Sequence, residues 1–184
     1  MNVVLVGFRG SGKSTVGKLL AEKLGREFVD CDTFIEQRTH LTIREIFERH
    51  GESHFRTLES EAVAELAKLD GKVIATGGGA VLKYQNMQVF KRAGATVVFL
   101  QVSPETAYER IQGDPATRSR RPALTEKDPA TEIREQIVLR RPYYLQAADA
   151  VVNVDARTVE DVAKEILAFL QGPGHEEREP APIA

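Results

Sequence analysis

The sequence predicts an α/β fold of three layers: a five-stranded parallel sheet, helices on both of its faces, and a mobile lid. Three observations carry that expectation. Short apolar runs at residues 2–7, 27–30, 72–76, 96–101 and 150–154 alternate with segments of helical periodicity. The run Val97-Val98-Phe99-Leu100 is apolar on both faces, as a strand covered from both sides must be. Glycines or paired acids follow the first three runs, where parallel sheets gather their ligands.

The first run, Val3-Val4-Leu5-Val6, leads into Gly7-Phe8-Arg9-Gly10-Ser11-Gly12-Lys13-Ser14-Thr15, which has the spacing G-x-x-x-x-G-K-[ST] of a phosphate-binding loop. Glycines let backbone N–H groups close on an oxyanion, and a helix beginning at Lys13 turns its positive dipole end toward the same charge. Lys13 then reaches the outer phosphates and Ser14 holds magnesium. Along that helix Val16, Leu19, Leu20, Lys23 and Leu24 define one face, and Gly25 stands at the C-cap.

The second run ends at Asp30-Cys31-Asp32, where extended backbone would turn both carboxylates the same way. Helices are expected over about 33–38 and 42–50, the latter with Ile43, Ile46 and Phe47 on one side, and Gly51 breaks the pattern. A long helix follows, with Leu58, Ala62, Leu66 and Leu69 at helical spacing, and Asp70-Gly71 ends it. The third run enters Gly77-Gly78-Gly79, a triplet too permissive for any regular element.

After the fourth run, Ser103-Pro104 marks a helix start. Residues from about 112 to 127, bracketed by Gly113-Asp114-Pro115 and Asp128-Pro129, carry Arg118, Arg120 and Arg121 with few apolar anchors, the pattern of a mobile loop. Next come a helix with Ile133, Ile137, Val138 and Leu139, the segment Arg140-Arg141-Pro142-Tyr143-Tyr144, and the last strand. Thr158 and Asp161 suit the cap of a final helix with Val159, Val162, Ile166, Leu167 and Leu170 as its stripe. One domain over 1–171 and a disordered tail over 172–184 are expected.

Composition narrows the function. With Lys+Arg 25 against Asp+Glu 27 the chain has no general attraction for nucleic acid or acidic membranes, so any basic site is local. The lone Cys31 excludes an internal disulfide and a thiolate metal cluster, which suits a reducing compartment. The four histidines show no ligand spacing. Met1 leads directly into the first strand without a leader pattern, so a cytoplasmic protein is expected.

The phosphate loop with Asp30-Cys31-Asp32, Gly51-Glu52 followed by Phe55-Arg56 and Glu59, Gly77-Gly78-Gly79, Arg121-Pro122 and Arg140-Arg141-Pro142-Tyr143 closely resembles the shikimate kinase family. The resemblance spans roughly residues 1–171 and implies the P-loop kinase fold related to nucleoside monophosphate kinases. It further implies transfer of the terminal phosphoryl of ATP to the 3-hydroxyl of shikimate, in the route to chorismate and the aromatic amino acids, by a magnesium-dependent monomer. By family position Arg56 and Arg140 clamp the substrate carboxylate, because guanidinium forks match carboxylates in bidentate geometry. Glu59 orients Arg56, Gly78 and Gly79 present backbone N–H groups, and Phe47 and Phe55 resemble the aromatic wall of the substrate pocket.

The same resemblance makes Asp32 the group that binds the acceptor hydroxyls and takes up their proton, and Asp30 the organiser of the magnesium shell beside Ser14. Arg121 becomes the lid arginine over the phosphates, and the catalytic set is Lys13, Asp32 and Arg121. Gly10, Ser11, Gly12, Lys13, Ser14 and Thr15 cradle the phosphates, while Arg110 and Arg157 lie on the adenine side. In the lid the sequence Arg121-Pro122-Ala123-Leu124 departs from the family's R-P-L-L by one alanine. Two other readings use the same loop: a gluconate-type small-molecule kinase, and an ATP-binding module without turnover.

Overall fold

The computed structural model describes residues 1–114 and 128–172. The elements run β1 (Val3–Val6), α1 (Lys13–Leu24), β2 (Glu27–Asp30), α2 (Cys31–Thr39), α3 (Ile43–Leu66), β3 (Lys72–Ala75), a 3₁₀ turn (Ala80–Leu82), α4 (Tyr84–Arg92), β4 (Thr96–Gln101), α5 (Pro104–Gly113), α6 (Pro129–Ala147), β5 (Ala150–Asn153) and α7 (Val159–Leu170). The strands form one parallel sheet in the order β2-β3-β1-β4-β5. From β1 the chain crosses over to the β2 edge, returns to β3, and then passes to β4 on the opposite side of β1. The reversal lies beside β1, so the crevice outside its C-terminal end is where a ligand is accommodated.

Strand alternation divides the core in two. Val4, Val6, Ile74, Val97 and Phe99 face α2, α3, α4 and the C-terminal half of α6. Val3, Leu5, Val73, Val98 and Leu100 face α1, α5 and α7. All four residues of β1 are fully buried, which matches the unbroken apolar run and the three-layer expectation.

Local signals set most element ends. Thr42 and Glu45 form a reciprocal capping box at the start of α3, Ser103 caps α5 with Pro104 in its first turn, and Thr158 caps α7 through the Asp161 N–H at 3.1 Å. Gly25 caps α1 at φ 63°, and Gly51, at φ 78°, kinks α3 where the pattern breaks.

Several expectations need correction. α2 begins at Cys31, so Asp32 is a first-turn helical residue and does not share an extended face with Asp30. Tertiary contact reverses some stripe assignments: Leu69 lies beyond the end of α3 and is exposed, as are Val138 and Leu139 on α6. α6 also continues through Arg140 and Pro142 to Ala147, because Arg140, Tyr144 and Ala147 are held against the core despite the N–H that proline lacks. The helix expected between the third and fourth runs, for which the sequence reading sets no bounds, is α4, whose buried side is Asn86, Met87 and Phe90. Residues 112 and 113 of the expected lid are the last of α5. Residues 115–127, with Arg118, Arg120, Arg121, Pro122, Ala123 and Leu124, lie outside the described residues, as does the tail from 173 onward.

On α1 the face toward the sheet is Val16, Gly17, Leu20 and Ala21, so small residues bring the helix close. A Cβ on Gly17 would stand 2.4 Å from Phe28 Cε2 and 3.2 Å from Leu5 Cδ1. Gly17→Val is therefore expected to destabilise the fold by about 1–3 kcal/mol through overpacking, measured as a fall in the urea midpoint with unchanged slope. An unchanged midpoint would show that Phe28 yields freely.

Candidate functional site

The phosphate loop is built by backbone geometry. Gly7 has φ 151°, and a Cβ there would lie 2.6 Å from the Leu100 carbonyl oxygen and 2.8 Å from Ser11 Oγ, so no side chain fits. Gly12, at φ 87°, supplies the left-handed residue from which α1 starts. Lys13 Nζ donates to the carbonyls of Gly7 and Phe8 at 2.9 and 3.0 Å, and so lies across the loop where phosphate oxygens are bound in this motif. Ser14 and Thr15 are exposed in the first turn of α1, while Ser11 is buried within the loop.

Asp30 performs two tasks at once. Its Oδ1 accepts from the backbone N–H groups of Asp32 and Thr33 at 3.0 and 3.2 Å, capping α2, while Oδ2 accepts from Ser14 Oγ at 2.8 Å. Capping and metal organisation are thus compatible, since each uses a different oxygen. Asp32 stands in the first turn of α2, at the positive end of the helix. No group of three His, Cys, Asp or Glu side chains among the described residues converges as a metal cage. Ser14 and Asp30 nevertheless suit magnesium, which takes few protein oxygens and fills its shell with phosphates and water.

Beneath this pair Cys31 is fully buried. Burial pushes its thiol well above the ordinary value; Asp32, Glu59 and Asp30 add to the effect, and a backbone hydrogen bond with Gly77 opposes it.

The glycine triplet connects the loop to an arginine. A Cβ on Gly78 would meet the Gly7 carbonyl oxygen at 3.4 Å and the Arg9 nitrogen at 3.5 Å, while one on Gly79 would meet Arg56 Nη1 at 2.5 Å and Nη2 at 2.6 Å. Arg56 donates to Glu59 at 2.8 Å and to Glu52 at 2.9 Å, and its guanidinium carbon lies 5.3 Å from the centre of the Phe55 ring. Burial opposes the charge on Arg56, but Glu59 and Glu52 more than offset it, so the guanidinium is held firmly protonated. The intrahelical ion pair and the position beside the triplet coexist. Phe55 is fully buried and packs on Phe47 at a centroid distance of 4.8 Å.

Arg140 arrives from α6. It is buried, with its guanidinium carbon 5.6 Å from the centre of the Phe8 ring. Arg9 lies 5.7 Å from the centre of the same ring and pairs with buried Glu132 at 3.0 Å. One turn beyond Arg140, Tyr144 stacks on Phe99 and donates its hydroxyl to the Gly78 carbonyl at 2.5 Å. Phe8, Arg9, Glu132 and Tyr144 escaped the sequence reading. Phe8 and Arg9 occupy unrestricted positions of the loop motif, and Glu132 follows Arg9 by more than a hundred residues.

On the opposite side of the loop Arg110 donates to the carbonyls of Gly10 at 3.2 Å and Val154 at 3.1 Å. Arg157 donates to the Asn153 carbonyl at 3.2 Å, to the Asp161 carbonyl at 3.0 Å and to Glu165. Both arginines thus border the turn after β5. Arg56, Arg140 and the triplet lie together on one side of the loop, Ser14 meets Asp30, and Arg110 flanks the other side.

Known proteins share this fold. The shikimate kinase family model matches residues 9–171. The chain belongs to the shikimate kinase family. A curated shikimate kinase of Symbiobacterium thermophilum is 47% identical over 95% of this chain and 98% of its own length, and that of Geobacter sulfurreducens is 43% identical over 92% and 91%. Among solved structures, the Acinetobacter baumannii shikimate kinase in complex with shikimate superposes with a TM-score of 0.84 at 37% identity, covering 92% of each chain. A gluconokinase of Sinorhizobium meliloti, at TM-score 0.55 and 18% identity, shares the fold over 92% of this chain and 91% of its own. The family consists of kinases that use ATP as co-substrate, and the loop, sheet order and helix layers described above are those of its fold.

The raised thiol of Cys31 has a testable consequence. In the unfolded chain the thiol ionises near its ordinary value of about 8.5, while the folded chain keeps it protonated. Its contribution to stability is therefore present below that pH and declines above it. Iodoacetamide at pH 8 is expected to leave the folded protein unmodified and to label Cys31 rapidly in denaturing urea, as mass spectrometry would register. Rapid labelling of the folded protein would contradict the assigned burial.

Proposed function

We propose that the chain transfers the γ-phosphoryl of ATP to the 3-hydroxyl of shikimate, giving shikimate 3-phosphate and ADP, with magnesium at Ser14 and Asp30. The observation that carries this reading is the packing of Arg56 on Gly79 together with Arg140 on Phe8, which sets two guanidinium groups beside the phosphate loop. Such a pair suits a small anion bearing a carboxylate. Sequence identity above 40% to curated shikimate kinases supports the same acceptor, whereas the gluconokinase likeness is one of fold alone.

In this reading the backbone of Gly10, Ser11 and Gly12, with Lys13 and the start of α1 through Thr15, holds the transferring phosphates. Phosphoryl transfer passes through a loose transition state, so alignment and charge neutralisation account for most of the catalysis. Lys13 neutralises the phosphate oxygens. Asp32, at the helix end next to the Ser14–Asp30 pair, orients the acceptor hydroxyl and receives its proton. Magnesium, held at Ser14 and Asp30, would supply positive charge that neutralises the phosphates. Arg56 and Arg140 hold the carboxylate, the backbone of Gly78 and Gly79 borders the ring, and Arg110 and Arg157 line the nucleoside side; Phe55, expected as a wall of the pocket, is fully buried and backs Arg56 instead. Arg121 completes the phosphate shell from the lid. A cytoplasmic monomer, with neither nucleic acid nor membrane as partner, is part of the proposal; among the described residues no helix is long and apolar enough to cross a membrane.

Purified protein offered ATP and magnesium with shikimate, gluconate or no acceptor is expected to turn over with shikimate alone. Turnover confined to gluconate, or none with shikimate, overturns the proposal. Arg140→Ala should raise the shikimate KM by roughly 10- to 100-fold with the ATP KM little changed, and Lys13→Ala should lower kcat by about 100-fold or more. Equal loss of ATP affinity in both would contradict the division of roles.

Gly79→Ala gives a finer test. Gly79 has φ −102° and ψ −2°, a conformation alanine adopts freely, and the group its Cβ would strike is the movable end of Arg56. Unfolding stability should change by less than about 1 kcal/mol, while the shikimate KM rises about tenfold as the guanidinium is displaced. A large stability loss with an unchanged KM would refute the assignment.

A further inference from the structure

The Arg9–Glu132 pair is the charged contact near the site that the proposed mechanism leaves unused. Glu132 lies in the first turn of α6 with a side chain only 4% exposed, and Arg9 reaches it from the crest of the phosphate loop at 3.0 Å. Eight residues along the same helix, on the same buried side, stands Arg140. Phe8, itself buried, has the Arg9 guanidinium 5.7 Å and the Arg140 guanidinium 5.6 Å from its ring centre. Loop crest and helix therefore meet at two points, an ion pair at one and an aromatic ring at the other.

A buried ion pair is seldom more stabilising than an apolar pair of similar size, so fold stability alone is a weak reason for one here. What the pair supplies is direction. A salt bridge with defined geometry holds two elements in one register, whereas apolar packing tolerates sliding. We infer that Arg9 and Glu132 are positioning residues that brace α6 against the loop crest and so fix Arg140, through Phe8, relative to the phosphates. This inference rests on the reading of Arg140 as part of the carboxylate clamp.

The phosphate cradle from Gly10 to Ser14 is formed by its own backbone and by α1, so loosening the brace should be felt on the acid side. Arg9→Gln, Glu132→Gln and the double variant are expected each to raise the shikimate KM by about tenfold and to leave the ATP KM within about twofold. The loss in the double variant should fall clearly short of the sum of the two single losses, because both substitutions break the shared salt bridge. The charge-exchanged Arg9→Glu/Glu132→Arg protein should recover part of the loss. Thermal unfolding is followed alongside: a lower Tm with unchanged KM values would make the pair structural only and overturn the inference. Unchanged kinetics throughout, additive losses in the double variant, or parallel rises in both KM values would overturn it as well. If the unsubstituted chain fails to turn over shikimate, the functional proposal falls and the brace falls with it; normal turnover with indifferent variants removes the brace alone.

Discussion

The contact between Gly7 and the Leu100 carbonyl is the constraint on which the rest of the structure depends. Because no Cβ fits there, the chain leaves β1 at a backbone angle reserved for glycine and turns immediately over the sheet edge. That turn sends Phe8 and Arg9 toward α6 and presents the start of α1 to the crevice. It also lets Gly78 approach the loop backbone at van der Waals distance. A side chain at Gly7 would strike the Leu100 carbonyl and displace the loop.

Charge and hydrogen bonding are distributed around this loop in pairs, of which the buried members are Glu59 and Glu132. Arg56 has Glu59 and Glu52, Arg9 has Glu132, and Ser14 and Asp30 share a proton donor and acceptor. Each pair holds a polar group in a chosen direction, and at buried Glu59 and Glu132 a misplaced charge would be costly. The helices contribute in the same sense: the positive ends of α1 and α2 face the crevice that is proposed to hold phosphate and the acceptor hydroxyl. The electrostatic design is therefore one of orientation, which is what phosphoryl transfer requires.

Much of this was legible in the chain. Five apolar runs located the strands; in β1, β3 and β4 burial on both faces leaves no polar alternation to obscure them. Thr42, Ser103 and Thr158 announced their helices because capping is a matter of neighbouring residues. The stretches that misled were those where distant parts decide. Leu69, Val138 and Leu139 fit a helical stripe by spacing, yet no packed surface covers them. The segment Arg140-Arg141-Pro142-Tyr143-Tyr144 looked separate from the helix before it, but the packing of Arg140 and Tyr144 carries α6 through it. Phe8 and Arg9 looked like spacer residues within a motif.

By itself the sequence determined the α/β class, the strand positions and the phosphate loop, because those depend on periodicity and motif spacing within short windows; the residues proposed to act beyond that loop came from the resemblance to the shikimate kinase family. Tertiary structure alone decided that Asp30 caps a helix with one oxygen while accepting from Ser14 with the other, that Gly79 abuts Arg56, and that Glu132 meets Arg9. The reason is physical: such contacts join groups whose separation along the chain bears no relation to their separation in space. The strand order β2-β3-β1-β4-β5, once adopted, brings them to the same end of the sheet.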